Sequence, residues 1–458
     1  MTYRLRTAFV FCFVFLVLGA GVLPAAAQAQ QYIVTFEKGT PREIKGAAAA
    51  RHGAVVHFNY DIVDAVAVTV PNERALRALT QEANVRSFSP DYPVFATQSS
   101  HASDNARASK GKPGGGSDAP IPTQTVPPGV QRVGVPKSGS DGAGIGVAIA
   151  DTGIDLNPNR DLAPVAGSFN AVNPGSSCQD DNGHGTHVAG IVAALDNSID
   201  VVGVAPAATL YCVKVLNSQG SGSWSTVIAG LQWIYDTNGG EKPTTPLKIG
   251  VVNMSLSGPA GSPSDTSLKD AIKKLHDTGV VIVVAAGNEA SSEVEDLVPG
   301  AYSRDHLVLT VASTTAVSGN SACPNLVVAA DTASFFTTDG VDVTVSAPGE
   351  EKEDVSKRGN ACYLTSVGIL SLKLGGGTTR MSGTSMASPH VAGIVARLLQ
   401  GPDNHTPDTI ELYFKDRNRG ADGMGCLPIK SPAASATDDL IREGIAIIKA
   451  PTVSCSGS

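Results

Sequence analysis

Beyond residue 123, short apolar runs alternate with helical stretches. Residues 144–150, 210–216, 249–254 and 280–286 lack the polar alternation of a half-exposed strand. Each therefore reads as a strand buried on both faces. Residues 183–195, 268–277 and 385–400 read as helices. Buried strands separated by helices predict an α/β, three-layer fold with a mainly parallel central sheet. In such a fold, ligands bind outside the carboxyl ends of the strands.

The chain before this region patterns differently. Residues 31–37 alternate like a strand, 41–52 are Ala-rich and helical, and 54–70 hold two β-rich runs around Asn59-Tyr-Asp61. Residues 72–83 are helical again and 85–95 return to strand. The order β-α-β-β-α-β predicts a small ferredoxin-like α+β domain over 30–95. Residues 96–122, rich in Ser, Gly, Lys and Pro, read as an exposed, protease-sensitive linker. Residues 1–29 read as a signal peptide. Arg4 and Arg6 precede an apolar run from Ala8 to Leu23, and Ala27-Gln-Ala29 or Ala25-Ala-Ala27 supplies the cleavage site. That run is shorter than the ~20 residues that cross a bilayer. The mature protein is expected to be secreted, extracellular or periplasmic, with no membrane association after signal removal.

With 34 Lys+Arg against 42 Asp+Glu, the net charge is −8, which argues against a nucleic-acid partner. Hydrophobic residues at 42% and charged ones at 17% supply a large core and exclude general disorder. Of 7 cysteines, Cys12 lies in the signal. The remaining Cys allow 15 pairings if all pair. Closure of nearest neighbours gives Cys178–Cys212, Cys323–Cys362 and Cys426–Cys455.

The chemistry gathers at strand ends and helix starts. Asp151-Thr-Gly-Ile-Asp155 follows an apolar strand, Gly183-His-Gly-Thr-His187 opens a helix, and Gly383-Thr-Ser-Met-Ala-Ser-Pro389 opens another. A carboxylate, an imidazole and a hydroxyl are what acyl transfer requires. Their order is Asp, His, Ser, whereas a lipase or esterase of the α/β-hydrolase type would run Ser, Asp, His. Together these blocks resemble the subtilisin family of serine proteases over residues 124–399, and residues 31–95 resemble that family's inhibitory propeptide. The resemblance implies a serine endopeptidase, made as a self-processing precursor, that acts as a monomer on protein or peptide substrates and is inhibited by its own propeptide. A catalytically dead relative serving as a scaffold is the rival reading; intact chemical positions argue against it.

Carried over residue by residue, the resemblance makes Asp151 the orienting carboxylate, His184 the base and Ser385 the nucleophile. Val284-Ala-Ala-Gly-Asn-Glu289 makes Asn288 the oxyanion donor, with the Ser385 backbone N–H as the second. Substrate binding falls to Ser255, Leu256, Ser257 and Gly258, in the segment expected to pair with an extended peptide, and to Gly287. Ser257 stands where the family often has Gly. The resemblance also implies a structural Ca²⁺ held by Gln124, Asp161, Asn197 and the carbonyls of Leu195, Ile199 and Val201, with no organic cofactor. Six oxygens suit this ion. In this family the end of the propeptide lies in the active site, so self-cleavage is expected close to Phe95 or within 96–122. The catalytic domain is expected over 123–400, with a C-terminal extension, 401–458, packing on it.

Neighbouring polar residues receive plainer readings. Asp155 is a turn residue, because Asp151 lies nearer the strand end. His187 could pair with His184 on a metal, but no third ligand has suitable spacing. His390, about 140° around the helix from Ser385 at ~100° per residue, is structural. Asp180 and Asp181 read as a solvated loop face. Residues 350–358 read as an exposed, mixed-charge insertion; extra length relative to short family members is expected at 318–331 and 349–377. Asn253-Met-Ser255 and Asn404-His-Thr406 are glycosylation sequons.

Overall fold

A computed structural model describes residues 30–97, 124–134, 139–157, 161–261 and 266–415. The signal peptide, nearly all of the linker, the tail beyond 415 and the pairing Cys426–Cys455 lie outside these residues. The N-terminal unit contains β1 (Gln30–Phe36), α1 (Arg42–Arg51), β2 (Val55–Asn59), β3 (Ala65–Val70), α2 (Glu73–Leu79) and β4 (Val85–Pro90). Its four strands form a sheet in the order β2-β3-β1-β4, antiparallel throughout. One more strand, β5 (Pro93–Ala96), leaves this unit for the larger one.

The larger unit begins with α3 (Pro128–Arg132), β6 (Gly146–Asp151), β7 (Gly167–Asn170), α4 (His184–Ala193), β8 (Thr209–Lys214), β9 (Ser221–Ser223) and α5 (Trp224–Thr237). It continues with β10 (Val251–Met254), β11 (Leu256–Pro259), α6 (Ser267–His276), β12 (Val281–Ala285), β13 (Leu297–Val298), β14 (Leu309–Thr315) and β15 (Val345–Glu350). Then come β16 (Lys352–Arg358), β17 (Ala361–Val367), β18 (Ile369–Leu372), β19 (Thr378–Met381), α7 (Thr384–Gln400) and α8 (Pro407–Lys415).

Seven strands form the central sheet in the order β15-β14-β12-β10-β6-β8-β7, and every neighbouring pair is parallel. Strands such as β6 and β12 are buried along their whole length, the burial that their unbroken apolar runs require. On one face α4 and α7 build the core, and α8 adds Ile410 and Phe414. On the other, α5 and α6 pack together with Ile33, Tyr60, Ile62 and Ala65 from the N-terminal unit. The two units therefore share one apolar cluster. Polar contacts reinforce it: the Tyr60 hydroxyl donates to Ser225 O at 2.8 Å, and the Asp61 and Ile62 N–H groups donate to Gln232 Oε1 at 2.7 and 2.5 Å.

Disulfides Cys178–Cys212 and Cys323–Cys362 are present. The second ties residues 318–331 to the β16–β17 hairpin over a small cluster of Cys323, Val328 and Val355. The expectation that 350–358 form an exposed run is incorrect. Glu350 and Glu353 have no accessible surface, because one ends the buried strand β15 and the other shares the inward face of β16 with Val355. Only Ser356, Lys357 and Arg358 lie outside. No helix among the described residues is long and apolar enough to cross a membrane.

Candidate active site

Asp151 ends β6 and His184 is the first residue of α4. A Cβ at Gly185 would lie 2.1 Å from Gly153 O and 3.1 Å from Asp151 Oδ1. Only a glycine lets the helix start approach the strand end this closely. The approach brings His184 Nδ1 to 2.8 Å from Asp151 Oδ1, with both side chains buried. His184 Nε2 is buried and has no hydrogen-bond partner among the described residues. Burial disfavours the imidazolium, but the charge and hydrogen bond of Asp151, and then the charge of Asp180, outweigh it and raise the His184 pKa.

Asp180 is only 3% exposed, which corrects the solvated-loop reading. Its Oδ1 accepts from the Thr152 hydroxyl at 2.9 Å and from the Asn182 and Gly183 N–H groups at 3.0 and 2.9 Å. Its Oδ2 accepts from Thr186 N at 2.9 Å and Thr186 Oγ1 at 2.5 Å. One carboxylate thus satisfies the free N–H groups around the start of α4 and ties them to the residue after Asp151. Asp181 does reach solvent and pairs with the buried Lys214 Nζ at 2.7 Å. That ammonium also donates to Thr152 O at 2.5 Å and Leu216 O at 2.9 Å.

Ser385 is the second residue of α7. Four residues on, Pro389 has no N–H to give the Ser385 carbonyl. The Ser255 hydroxyl donates to that carbonyl instead, at 2.8 Å, and also contacts Ser388 Oγ at 2.9 Å. The sequence of α7 thereby fixes the segment just before β11. The Ser385 hydroxyl donates to Ser255 O at 3.1 Å. Asn288 Oδ1 accepts from Thr384 N and Oγ1 at 2.9 and 3.0 Å. These two bonds set the amide orientation and leave Nδ2 buried without a partner among the described residues. Asp155 accepts from its own turn, at Asn157 N, and from Gly375 N.

A peptide strand already occupies the groove. β5 lies between β9 and β11, pairing antiparallel with both. Ala96 faces Leu256 and Phe95 faces Ser257. β9 is a second wall that the sequence did not mark. Thr97 follows the strand; its N–H donates to Ser255 O at 3.3 Å and its carbonyl accepts from Ser385 N at 3.4 Å. Thr97 Oγ1 lies 2.5 Å from Ser385 Oγ. The residue beside Ser385 is therefore Thr97, two places beyond Phe95.

The residues expected at a calcium site also converge. Gln124 Nε2 lies 2.5 Å from Leu195 O, 3.1 Å from Val201 O and 3.4 Å from Asn197 Oδ1. Asn197 Nδ2 donates to Asp161 Oδ1 at 2.6 Å, and Val201 N to Asp161 Oδ2 at 3.2 Å. Ile199 joins through its N–H, which donates to Asn197 Oδ1 at 2.8 Å. Leu195 O, Val201 O and Asn197 Oδ1 thus gather around Gln124 Nε2, with the Asp161 carboxylate joined to them through Asn197 Nδ2, and such oxygens are of the kind a hard cation takes. Burial pushes the Asp161 carboxyl up to about 6.

His187 and His390 play no comparable part. His187 Nε2 contacts Ile369 O at 3.0 Å, and His390 Nδ1 contacts Met386 O at 2.7 Å. Burial lowers their pKa values to about 3 and about 4.

Residues 142–421 match the Subtilase family (Peptidase_S8). The chain is 39% identical over 281 residues to "Subtilisin DY" of Bacillus licheniformis, covering 60% of this chain and 85% of that protein. It is 37% identical over 279 residues to "Subtilisin" of Bacillus pumilus, covering 60% and 85%. The crystal structure of a cold adapted subtilisin-like serine proteinase superposes with a TM-score of 0.52 at 26% identity, covering 71% of this chain and 98% of that one. The fold, the family match and these relatives agree, and the chain belongs to the subtilase family of serine-type endopeptidases.

Proposed function

We propose that the protein is a secreted endopeptidase, made as a precursor, that cuts its own chain between Thr97 and Gln98. The observation that carries this reading is the position of Thr97, with its carbonyl at the Ser385 N–H at the end of a paired strand. Asp151 holds His184 through Nδ1, leaving Nε2 to take the Ser385 proton. The hydroxyl turns from Ser255 O toward Nε2, and Oγ bonds to the substrate carbonyl carbon. The carbonyl oxygen becomes an oxyanion held by the Ser385 N–H and Asn288 Nδ2, aided by the start of α7. Collapse breaks the C–N bond, and the proton on Nε2 passes to the leaving amine. Water then gives up a proton to Nε2 and attacks the acyl-enzyme, releasing the carboxylate and restoring Ser385. Asp180 and Lys214 act as positioning residues, bracing the chain on either side of the Asp151–His184 pair.

Substrates add as an extended strand between β9 and β11, as β5 does. Residues 30–97 serve as inhibitor until released, and residues 1–29 direct export. Ca²⁺ held by Gln124, Asp161, Asn197 and the carbonyls of Leu195, Ile199 and Val201 would supply folded-state stability and no chemical step. Self-cleavage is tested with Ser385→Ala expressed where no active protease is present. The expected product retains the Thr97–Gln98 bond, whereas the unaltered chain yields a fragment ending at Thr97. A variant cut at that bond would mean that another enzyme performs the processing.

A further inference from the structure

Resting on the peptidase reading above, a further property follows from what holds the entry to α7. The chain reaches Ser385 through Ser382, Gly383 and Thr384. Thr384 is held by Asn288. The two residues before it are held by β15 and β17: Gly383 N donates to Gly349 O at 3.0 Å, and Ser382 Oγ lies 2.7 Å from Ser366 Oγ. The pairing of β14 with β15 skips Gly349, so that Thr314 faces Pro348 and Thr315 faces Glu350. A Cβ at the skipped residue would lie 2.6 Å from Gly383 O, so its being glycine lets the end of β15 approach the entry to α7 closely.

The β16–β17 hairpin brings a carboxyl and a hydroxyl to the same place, because Glu353 and Ser366 are opposite each other in its register. The Ser366 hydroxyl donates to Glu350 Oε2. With its proton used there, Ser366 accepts from Ser382, and a hydrogen-bonded chain runs from Glu350 through Ser366 to Ser382. All of these side chains are buried. One oxygen on each carboxyl, Glu350 Oε1 and Glu353 Oε2, has no donor among the described residues. No Lys, Arg or His among them pairs with either group; the neighbouring Lys352 and Arg380 pair with Asp354 and Glu351. The two carboxyls are within hydrogen-bonding reach of each other, but two carboxylates have no proton to give. A single proton between them satisfies both oxygens and removes one of two buried charges.

We propose that Glu350 and Glu353 share one proton and that the pair positions Ser385 through Ser366 and Ser382. Loss of that proton to solvent leaves two like charges side by side, which drives the carboxyls apart. The hold of Glu350 on Ser366, and of Ser366 on Ser382, loosens with them. Ser385 lies three residues beyond Ser382, and the Asn288 amide takes its orientation from Thr384 between them, so hydroxyl and oxyanion donors shift together. A misplacement of about 1 Å costs up to about 100-fold in rate. The other groups facing the pair are the hydroxyls of Ser334 and Ser366 and the Phe335 N–H; none of these gains or loses a proton with it.

The test measures kcat and KM for a fluorogenic peptide across pH, with protein purified after expression of the full chain. Rates are expressed per active site by burst titration and taken well below the melting temperature. A merely structural role would change the number of active sites and leave kcat per site alone. In Glu350→Gln the amide gives Glu353 an N–H that no pH removes, and Glu353→Gln does the same for Glu350, which keeps the test open if the first variant folds poorly. The kcat of the unaltered enzyme is expected to fall on the alkaline side with little change in KM. Either Gln variant is expected to lack that fall, so that its kcat relative to the unaltered enzyme rises at least about fivefold from neutral to alkaline pH. Ser382→Ala cuts the chain between the pair and α7; its melting temperature is expected to keep its dependence on pH while its kcat loses the alkaline fall. A kcat ratio that stays flat with pH in both Gln variants, or a Ser382→Ala enzyme that keeps the fall, overturns the proposal and leaves the peptidase reading standing. Failure of the unaltered protein to cut the peptide at any pH overturns that reading and this one with it.

Discussion

Asp91 decides whether the N-terminal unit is held by a helix end of the catalytic domain. Its two carboxylate oxygens accept from Ser225 N at 2.9 Å and Ser225 Oγ at 2.6 Å. Ser225 is the second residue of α5, a helix of 14 residues, whose first N–H groups have no partner inside the helix. A carboxylate from the other unit meets that need and the positive end of the helix dipole together. Hydrogen bonds to a charged group contribute about 1.5–3 kcal/mol, and loss of a cap costs about 0.5–2 kcal/mol. Both bonds come from one carboxylate, so the two figures do not add. Burial also pushes the Asp91 carboxyl up, so desolvation offsets part of the gain. The expected loss on Asp91→Ala is then about 1–2 kcal/mol, or about 5- to 30-fold in affinity. The assay adds separately produced residues 30–97 to the active enzyme and measures the inhibition constant. Arg77→Ala is the control, because its pair with Glu73 is exposed and expected to matter little. An Asp91→Ala fragment that inhibits as well as the unaltered one would refute the capping argument.

Two further outcomes can be measured on the full chain carrying Ser385→Ala, which removes self-digestion. Chelation is expected to lower the melting temperature, because a metal that binds only the folded state stabilises it by mass action; Asp161→Ala removes most of that sensitivity, and a melting temperature indifferent to chelator counts against the site. The second outcome concerns Glu350 and Glu353, whose carboxyls are both raised, chiefly by burial, with the charge of Glu353 adding to the effect on Glu350. Facing them are the hydroxyls of Ser334 and Ser366 and the Phe335 N–H. The native state therefore holds more protons than the unfolded chain above the ordinary Glu value of 4.5. Stability falls as pH rises through that window. Glu350→Gln is expected to flatten this fall and to melt higher than the parent at alkaline pH, and a difference between the two that does not grow with pH would refute the argument.

The parts legible in the sequence were those in which one local pattern carries the whole requirement. The strand before Asp151 must be apolar throughout because sheet neighbours lie on both sides, and its end then places the carboxylate. His184 and Ser385 open helices, and the turns that allow this are spelled in short blocks around them. Nearest-neighbour closure reached the two disulfides present among the described residues. In the first, Cys212 on β8 meets Cys178 on the loop leading to α4. The small β9 strand gave no signal because Ser221-Gly-Ser223 has the composition of a loop; it is a strand only because β5 lies against it.

Charge was the misleading signal, and the reason is physical. A carboxylate in a polar stretch reads as solvated, because burial without partners is costly. Asp180 escapes that cost by accepting five hydrogen bonds from neighbours in the turn and the helix start, and Glu353 by accepting from Phe335 N, far away in sequence. The chain alone cannot distinguish a solvated Asp180 from one that braces the start of α4. Register is hidden in the same way. The composition of 85–95 marks a strand next to a linker over 96–122, which leads to the expectation of a cut close to Phe95 or within that linker. What puts Thr97 beside Ser385 is the pairing of Leu256 with Ala96, together with the hold of Ser255 on the Ser385 carbonyl. That hold exists because Pro389 cannot donate an N–H. The placement of Thr97 beside Ser385 thus depends on a proline nearly three hundred residues away, a dependence that only the folded chain reveals.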